Sequence, residues 1–429
     1  MKKTKLSGKF WLALVIFSLV GQVAWVVENM YLNVFIYKMF HADAKSISLM
    51  VAASAVAATV TTVFVGALSD KIGKRKLFIC AGYILWGISI LCFGLIRMDV
   101  LQGLFPHAVS AASVGVTLVI ILDCIMTFFG STANDACFNA WLTDSTDQTN
   151  RGAAEGINAM MPLVAILVVF GGFMGLNQDL PQSWTVIFSV IGGSVLVMGI
   201  LGFFLIEEPQ VDNTENTHYF KNLIYGFRPK VIRAHPKFYW TLLAYAVFGV
   251  SINIFMPYLI LYYEKGLGMT DYVLIFAPAI LLAAVFTALY GRVYDRKGFR
   301  IAVLPAMGLL IAGYMVLYFT RETVPVFAGT VLMLCGYLAG MAVFGAMLRD
   351  HTPKNKAGMF QGQRIIGQVL LPGVIGPAIG AAVLQGAQMI QNSDGTESFL
   401  PNERIFMAAA VVAVFVFAAL IPLMKSSKK

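Results

Sequence analysis

Long apolar stretches alternate with short polar ones along the whole chain. A helix needs about 20 mostly apolar residues to cross a bilayer. Stretches of that length fall near 10–38, 47–69, 76–97, 113–141, 153–176, 184–206, 238–263, 271–293, 300–319, 325–348, 358–386 and 404–424. Several exceed the minimum, which implies tilt or bending. Pro162, Pro257, Pro278 and Pro372 are the candidate bends. The pattern predicts an all-α membrane protein of twelve transmembrane helices.

Composition agrees. The chain of 429 residues is 59% hydrophobic and only 12% charged, with a mean hydropathy of +0.77. So few charges could not cover a soluble surface of this size. Lys2, Lys3 and Lys5 precede the first apolar run in the manner of a signal peptide. That run is too long for an h-region and lacks a small-residue cleavage site, so it is expected to remain as the first span.

Basic residues orient the spans. Twelve crossings put both ends on one side of the bilayer. Of the 31 Lys and Arg, 24 fall on that side. Lys38, Lys45, Arg97, Lys265, Arg321 and Arg404 fall on the other, and Arg364 lies within a span. The excess predicts cytoplasmic termini in the plasma (cytoplasmic) membrane. It also accounts for the net charge of +9 without nucleic acid, since cationic loops face an anionic leaflet. Cys80, Cys92, Cys124, Cys137 and Cys335 all sit in apolar stretches without ligand spacing, so neither disulfides nor a metal site is expected.

The chain repeats itself. Gly66-Ala-Leu-Ser-Asp70-Lys-Ile-Gly73-Lys-Arg75 returns 225 residues later as Gly291-Arg-Val-Tyr-Asp295-Arg-Lys-Gly298-Phe-Arg300. A second set, Asp144, Thr146, Gly152 and Gly156, returns at an offset of 206 as Asp350, Thr352, Gly358 and Gly362, and Glu155 pairs with Gln361. Two pseudo-symmetric six-helix bundles follow, over 1–206 and 238–429. The cytoplasmic linker between them, 207–237, carries Phe220, Leu223, Ile224, Phe227, Val231 and Ile232 at helical spacing, as in a surface helix interrupted by Pro229.

A Gly–x3–Asp–x2–Gly–basic turn between two spans, once per half, resembles the loop signature of the major facilitator superfamily. In that superfamily the parallel halves rock about a midplane site. The resemblance implies that Asp70 faces the start of helix 11 near Gly358, and Asp295 the start of helix 5 near Gly152. An aspartate at a helix N-terminus is electrostatically favourable. Arg75 and Arg300 would add ion pairs, and these contacts would hold the cytoplasmic side shut. The alternative for the basic residues is a purely topological role.

Polar residues inside spans are costly and mark function by default. In span 1, Gln22, Asn29 and Asn33 share one helical face, with Trp25 about 60° away. Amides beside an aromatic plate suit a hydroxyl-rich ligand, although they also suit bonds to neighbouring helices. Glu28 points elsewhere, to pair with another helix or to titrate. In span 4, Asp123 lies nearest the midplane, Asn134 almost on its face, and Asp135 about 120° away. A carboxylate there is costly to keep ionised, which suits a proton carrier. The competing reading is a structural Asp123 neutralised by Arg364 or by amides. In span 11, Gln361, Arg364 and Gln368 form one stripe, and Arg364 could bind an anionic group or pair with Glu155, Asp135 or Asp123. Asn253 and Tyr258 flank Pro257 in span 7.

Asn134-Asp-Ala-Cys-Phe-Asn139-Ala-Trp141-Leu-Thr-Asp144, Glu28-Asn29-Met-Tyr31-Leu-Asn33 and Pro236-Lys-Phe-Tyr239 resemble the glycoside–pentoside–hexuronide cation symporters. That resemblance implies cation-coupled uptake of a sugar or glycoside. Sodium- and melibiose-type members carry carboxylates within helix 2, and here helix 2 has none before Asp70. A proton is therefore the expected coupling ion. The alternative is a proton-coupled exporter of drugs or other amphiphiles. Neither a catalytic motif nor a phosphate-binding loop appears, so no enzyme activity and no cofactor are expected. The expected partners are a small-molecule substrate, a proton and the lipid bilayer, and the superfamily's habit implies a monomer.

The orientation is testable. A cysteine at Glu397, in the loop before the last span, should react with a membrane-impermeant maleimide from outside intact cells, and one at Lys230 only after lysis. Reversed labelling would overturn the topology.

Overall fold

The computed structural model describes residues 6–106, 110–146, 150–208, 226–352, 360–392 and 395–425, except for the side chains at 70, 151, 152, 295 and 361. Among these residues, twelve helices are long and apolar enough to cross a membrane. Spans 1 to 6 are Gly8–Phe40, Ala44–Ser69, Arg75–Phe93, Ala111–Asp144, Ala153–Phe173 and Pro181–Leu205. Spans 7 to 12 are Pro236–Gly266, Val273–Tyr294, Phe299–Phe319, Thr323–His351, Gly362–Leu384 and Arg404–Lys425. The apolar stretches read from the sequence match them to within a few residues.

Local chemistry sets the ends. The Ser7 side chain caps span 1 by accepting from Phe10 N at 3.0 Å, and His41 closes it with φ 52°. Ser110 caps span 4 in the same way, accepting from Ser113 N at 3.2 Å. Pro181 and Pro236 open spans 6 and 7, where a missing N–H costs nothing. Between spans 2 and 3, Gly73 has φ 69°, and between spans 8 and 9, Gly298 has φ 73°. That conformation explains the second glycine of the repeated turn. Gly73 N bonds Ser69 O and Gly298 N bonds Tyr294 O, so both helices end in the same way.

Residue contacts divide the chain into two compact units. One is Met1–Ala42 with Ala53–Tyr219, and the other is Asp43–Ala52 with Phe220–Lys429. In the first, spans 3 and 6 pack backbone to backbone. A Cβ on Gly87 would stand 2.5 Å from Leu196 N. In the second, Gly313 and Gly336 bring spans 9 and 10 equally close, against Met333 and Leu310. Small residues are the usual means of helix contact in lipid, where apolar burial gives little drive. Span 1 packs on span 5, and span 7 packs on span 11.

Three features were not expected. The spans are interrupted by wide π-helical turns at Val27–Tyr31, Ser131–Phe138, Tyr262–Gly266 and Ile366–Leu370. A short helix, Met98–Leu104, precedes span 4. Strands Met389–Gln391 and Glu397–Phe399 form an antiparallel hairpin before span 12. Of the candidate bends, Pro257 breaks span 7 with a tight turn at Met256–Tyr258. Pro162 and Pro278 lie inside continuous helices. Pro372 follows the wide turn of span 11. Pro229 opens the helix Pro229–Ala234 rather than interrupting one. Phe220, Leu223 and Ile224 of the linker lie outside the described residues.

Candidate substrate and coupling site

In the first unit, the polar groups of spans 1, 2 and 4 meet. Glu28 opens the wide turn of span 1 and is buried. Its Oε1 accepts from Ser54 Oγ of span 2 at 2.6 Å and from Thr127 Oγ1 of span 4 at 2.9 Å. The two hydroxyls are themselves 2.8 Å apart. Glu28 Oε2 is buried without a partner. Asp123, only 1% exposed, precedes Thr127 by one turn on the same face. Its Oδ1 is also buried without a partner. Four residues beyond Thr127, Ser131 donates to Asp135 Oδ2 at 3.0 Å. Asp123, Thr127, Ser131 and Asp135 therefore follow one another at four-residue steps along span 4. No described cation of this unit pairs with these carboxylates.

A second chain of bonds runs beside the first. Trp25 Nε1 donates to Asn134 Oδ1 at 3.3 Å. Asn134 Nδ2 donates to the Tyr83 hydroxyl at 2.9 Å, and Tyr83 donates to Phe17 O at 2.8 Å. The Trp25 ring lies against Trp86, centroids 5.0 Å apart. Gly130 makes room for both, because a Cβ there would meet Trp86 at 2.7 Å and Trp25 at 3.0 Å.

The amides of span 1 differ in burial. Asn29 is exposed, Gln22 is half-buried and Asn33 is fully buried. Asn29 Nδ2 donates to Trp25 O and Asn33 Nδ2 to Asn29 O, each at 2.8 Å. The wide turn lies among them, with Leu32 N bonding Val27 O, five residues back. That spacing leaves helix carbonyls for side chains to take. Asp135 likewise falls in the wide turn of span 4, with Asn134 aimed at Trp25 and Tyr83.

In the second unit, Tyr258 is fully buried and donates to Ala44 O at 2.9 Å and Pro377 O at 3.4 Å. Its hydroxyl is thus committed to backbone. Asn253 is half-buried and donates to Gly249 O at 3.0 Å. Gln368 and Arg364 are half-buried, and Arg364 Nε has no hydrogen-bond partner. The Gln361 side chain lies outside the described residues.

The repeated turns carry unequal chemistry. Arg75 is 5% exposed. Its Nε donates to Asp144 Oδ2 at 3.1 Å, and its Nη1 donates to Ser69 Oγ at 2.5 Å. In the second half, Tyr294 stands where Ser69 does and donates directly to Asp350 Oδ2 at 2.5 Å. Among the described side chains, which exclude Asp295, no carboxylate pairs with Arg300. Arg300 donates to Leu423 O at 3.3 Å. Asp70 and Asp295 close their helices, but their side chains, like Gly358, lie outside the described residues. Gly291 has open space around it. Sequence reasoning missed Ser54, Ser131, Tyr83 and Trp86. The four-residue steps from Asp123 to Asp135 were the available signal for Ser131.

Twelve spans, a duplicated turn and buried carboxylates within one bundle define a polytopic membrane transporter. The family model described as Major Facilitator Superfamily matches residues 10–377, and the chain belongs to that superfamily. No curated protein matches it by sequence. Among solved structures it is similar to a bacterial homologue of the human lysosomal transporter Spinster, inward-facing and unoccupied, at 16% identity and a TM-score of 0.69, covering 97% of this chain and 96% of that one. It is similar to a D-xylose–proton symporter at 14% identity and a TM-score of 0.71, covering 95% and 97%. The nucleoside transporter NupG matches at 12% identity and a TM-score of 0.67, covering 97% and 99%. At such identities the likeness is one of fold.

The Arg75–Asp144 pair supports the first unit. Removing one partner of a fully buried ion pair costs about 3–5 kcal/mol, and less where, as here, the aspartate side chain is 24% exposed. Arg75→Leu should therefore lower the melting temperature in detergent sharply, and Arg75→Leu with Asp144→Leu should recover most of the loss. Equal melting of Arg75→Leu and the parent would show the pair to be dispensable.

Proposed function

We propose that the protein is a secondary active transporter that imports a sugar or glycoside with a proton by alternating access. The observation that carries the reading is the Glu28–Ser54–Thr127–Asp123 cluster. It joins three spans of one unit and contains two buried carboxylates with unpartnered oxygens. An unpaired carboxylate in an apolar interior is far cheaper with a proton than without. Hydroxyls that touch both each other and the carboxylate offer a proton a path along the cluster. The half-buried Trp25 ring and the exposed Asn29 amide offer a sugar face and hydroxyls what they bind best.

On this reading Asp123 is the coupling group, with Glu28 and Asp135 as rivals. One proton per sugar lets a pH difference of one unit hold about a tenfold sugar ratio. Proteoliposomes given labelled pentoses, hexoses and glycosides should accumulate one of them when the outside is acidic. Asp123→Asn should bring the ratio to about one while sparing exchange of labelled for unlabelled sugar. Full accumulation in Asp123→Asn, with loss in Glu28→Gln, would move the assignment to Glu28. Efflux driven by the same gradient would instead favour the exporter.

Asp70 and Asp295 are assigned to gating, from their place in the duplicated turn. An aspartate against a helix N-terminus contributes about 0.3–2 kcal/mol. Asp70→Asn and Asp295→Asn should each slow transport and raise the accessibility of a cavity cysteine from the cytoplasmic side. If neither rate nor accessibility changes, the turn serves topology alone.

A further inference from the structure

Three oxygens from three spans close a triangle in the first unit. Ser54 Oγ of span 2 stands 2.6 Å from Glu28 Oε1, Thr127 Oγ1 of span 4 stands 2.9 Å from the same atom, and the two hydroxyls stand 2.8 Å apart. Each separation is that of an O–H···O hydrogen bond. Serine and threonine within a helix commonly spend the hydroxyl proton on the carbonyl four residues back. Thr59 does so in span 2 and Thr117 in span 4. Ser54 and Thr127 instead turn their protons between the spans.

Counting protons decides what the triangle holds. Three contacts need three protons, the two hydroxyls supply two, and an ionised carboxylate supplies none. With Glu28 ionised, one pair of oxygens would touch at hydrogen-bond distance with only lone pairs between them, in a low-dielectric interior. A proton on Oε1 removes the conflict, because each oxygen then gives one hydrogen bond and takes one. A second observation agrees. Glu28 Oε2 is buried without a partner, a place that the carbonyl oxygen of a neutral acid tolerates far better than a charged oxygen. Asp135 shows the contrast. A single hydroxyl, Ser131, faces its Oδ2 at 3.0 Å, and one proton satisfies that contact.

The titratable neighbours of Glu28 bring no positive charge. Asp123, Asp135 and the Cys124 thiol of span 4 lie in its reach. Of span 3, the Tyr83 phenol spends its proton on Phe17 O. Span 2 has no ionisable residue from Ser46 to Ser69, and span 6 has none. Span 5 has Glu155, exposed in its first turn.

We infer that Ser54 and Thr127 are positioning residues that hold a proton on Glu28, closing a ring of three hydrogen bonds that ties spans 1, 2 and 4 together and opens when the proton leaves. Asp123 remains the coupling group of the proposed import. The ring, whose Thr127 lies one turn from Asp123, stores a proton beside it. Its part in transport rests on that reading, whereas the proton on Glu28 does not.

Infrared difference spectra of the full-length protein in lipid nanodiscs, recorded across pH, report the C=O stretch of a protonated carboxyl. At neutral pH a band should be present that Glu28→Gln removes and that Asp123→Asn and Asp135→Asn leave in place. At the pH where the parent band stands at half height, it should fall about threefold or more in Ser54→Ala and in Thr127→Val, the effect of about one hydrogen bond. Ser54→Thr, which keeps the hydroxyl, should restore it. Hydroxyls that serve an ionised Glu28 would act in the opposite sense, since removing a donor from a carboxylate favours its protonation. A band that grows in Ser54→Ala and Thr127→Val, one that neither changes, or no Glu28 band at neutral pH overturns the inference. So does a Glu28 band that sodium chloride abolishes at fixed pH, which would make the triangle a cation site. Proton-driven sugar accumulation without a Glu28 band would sink the ring and leave import standing. A band that responds as expected, without proton-driven accumulation, would do the reverse.

Discussion

Lipid offers no hydrogen bonds, so every polar group within a span must find its partner inside the protein or carry a function. The rest of the structure follows from that constraint. Glu28 is held by hydroxyls from two other spans, Arg75 by Asp144 and Ser69, and Tyr258 by two carbonyls. Where partners are missing, at Glu28 Oε2, Asp123 Oδ1 and Arg364 Nε, the cost of leaving them unmade exceeds what packing alone would tolerate.

Wide helical turns serve the same need. Beside the π turn of span 1, the Asn29 and Asn33 side chains donate to the carbonyls of Trp25 and Asn29. A π turn also rotates the residues beyond it, so Asn134 reaches Trp25 and Tyr83 while Asp135 bonds Ser131 one turn back. Such turns occur frequently at functional sites. Here they fall in spans 1, 4, 7 and 11, the spans that carry the candidate binding and coupling residues.

Duplication supplies the frame, and divergence within it supplies the chemistry. Both halves end their second helix on a glycine of positive φ and pack their first and fifth spans together. Yet Ser69, Arg75 and Asp144 become Tyr294, Arg300 and Asp350, with the direct tyrosine bond replacing the arginine bridge. Asn158 becomes Arg364. Glu28, Asp123 and Asp135 lie within spans of one unit, and Arg364 within a span of the other. A single ancestral scaffold thus holds two dissimilar polar interiors.

The spans, their number, the duplicated turns and the superfamily were legible in the sequence, because apolar length and loop spacing are properties of the chain itself. So was the identity of the costly residues: Glu28, Asp123, Asp135 and Arg364 stand out in any apolar run. Their partners were not legible. Ser54 lies in span 2 and Tyr83 in span 3, far along the chain from Glu28 and Asn134, and small hydroxyls are common in spans. The wide turns of spans 1 and 4 were not legible either, since a pattern of 3.6 residues per turn does not foresee a π turn. Periodicity settles which residues enter the membrane. Which of them touch depends on how helices cross and where their backbones widen, and only tertiary packing decides that, because the energy of each contact is shared among spans distant in sequence.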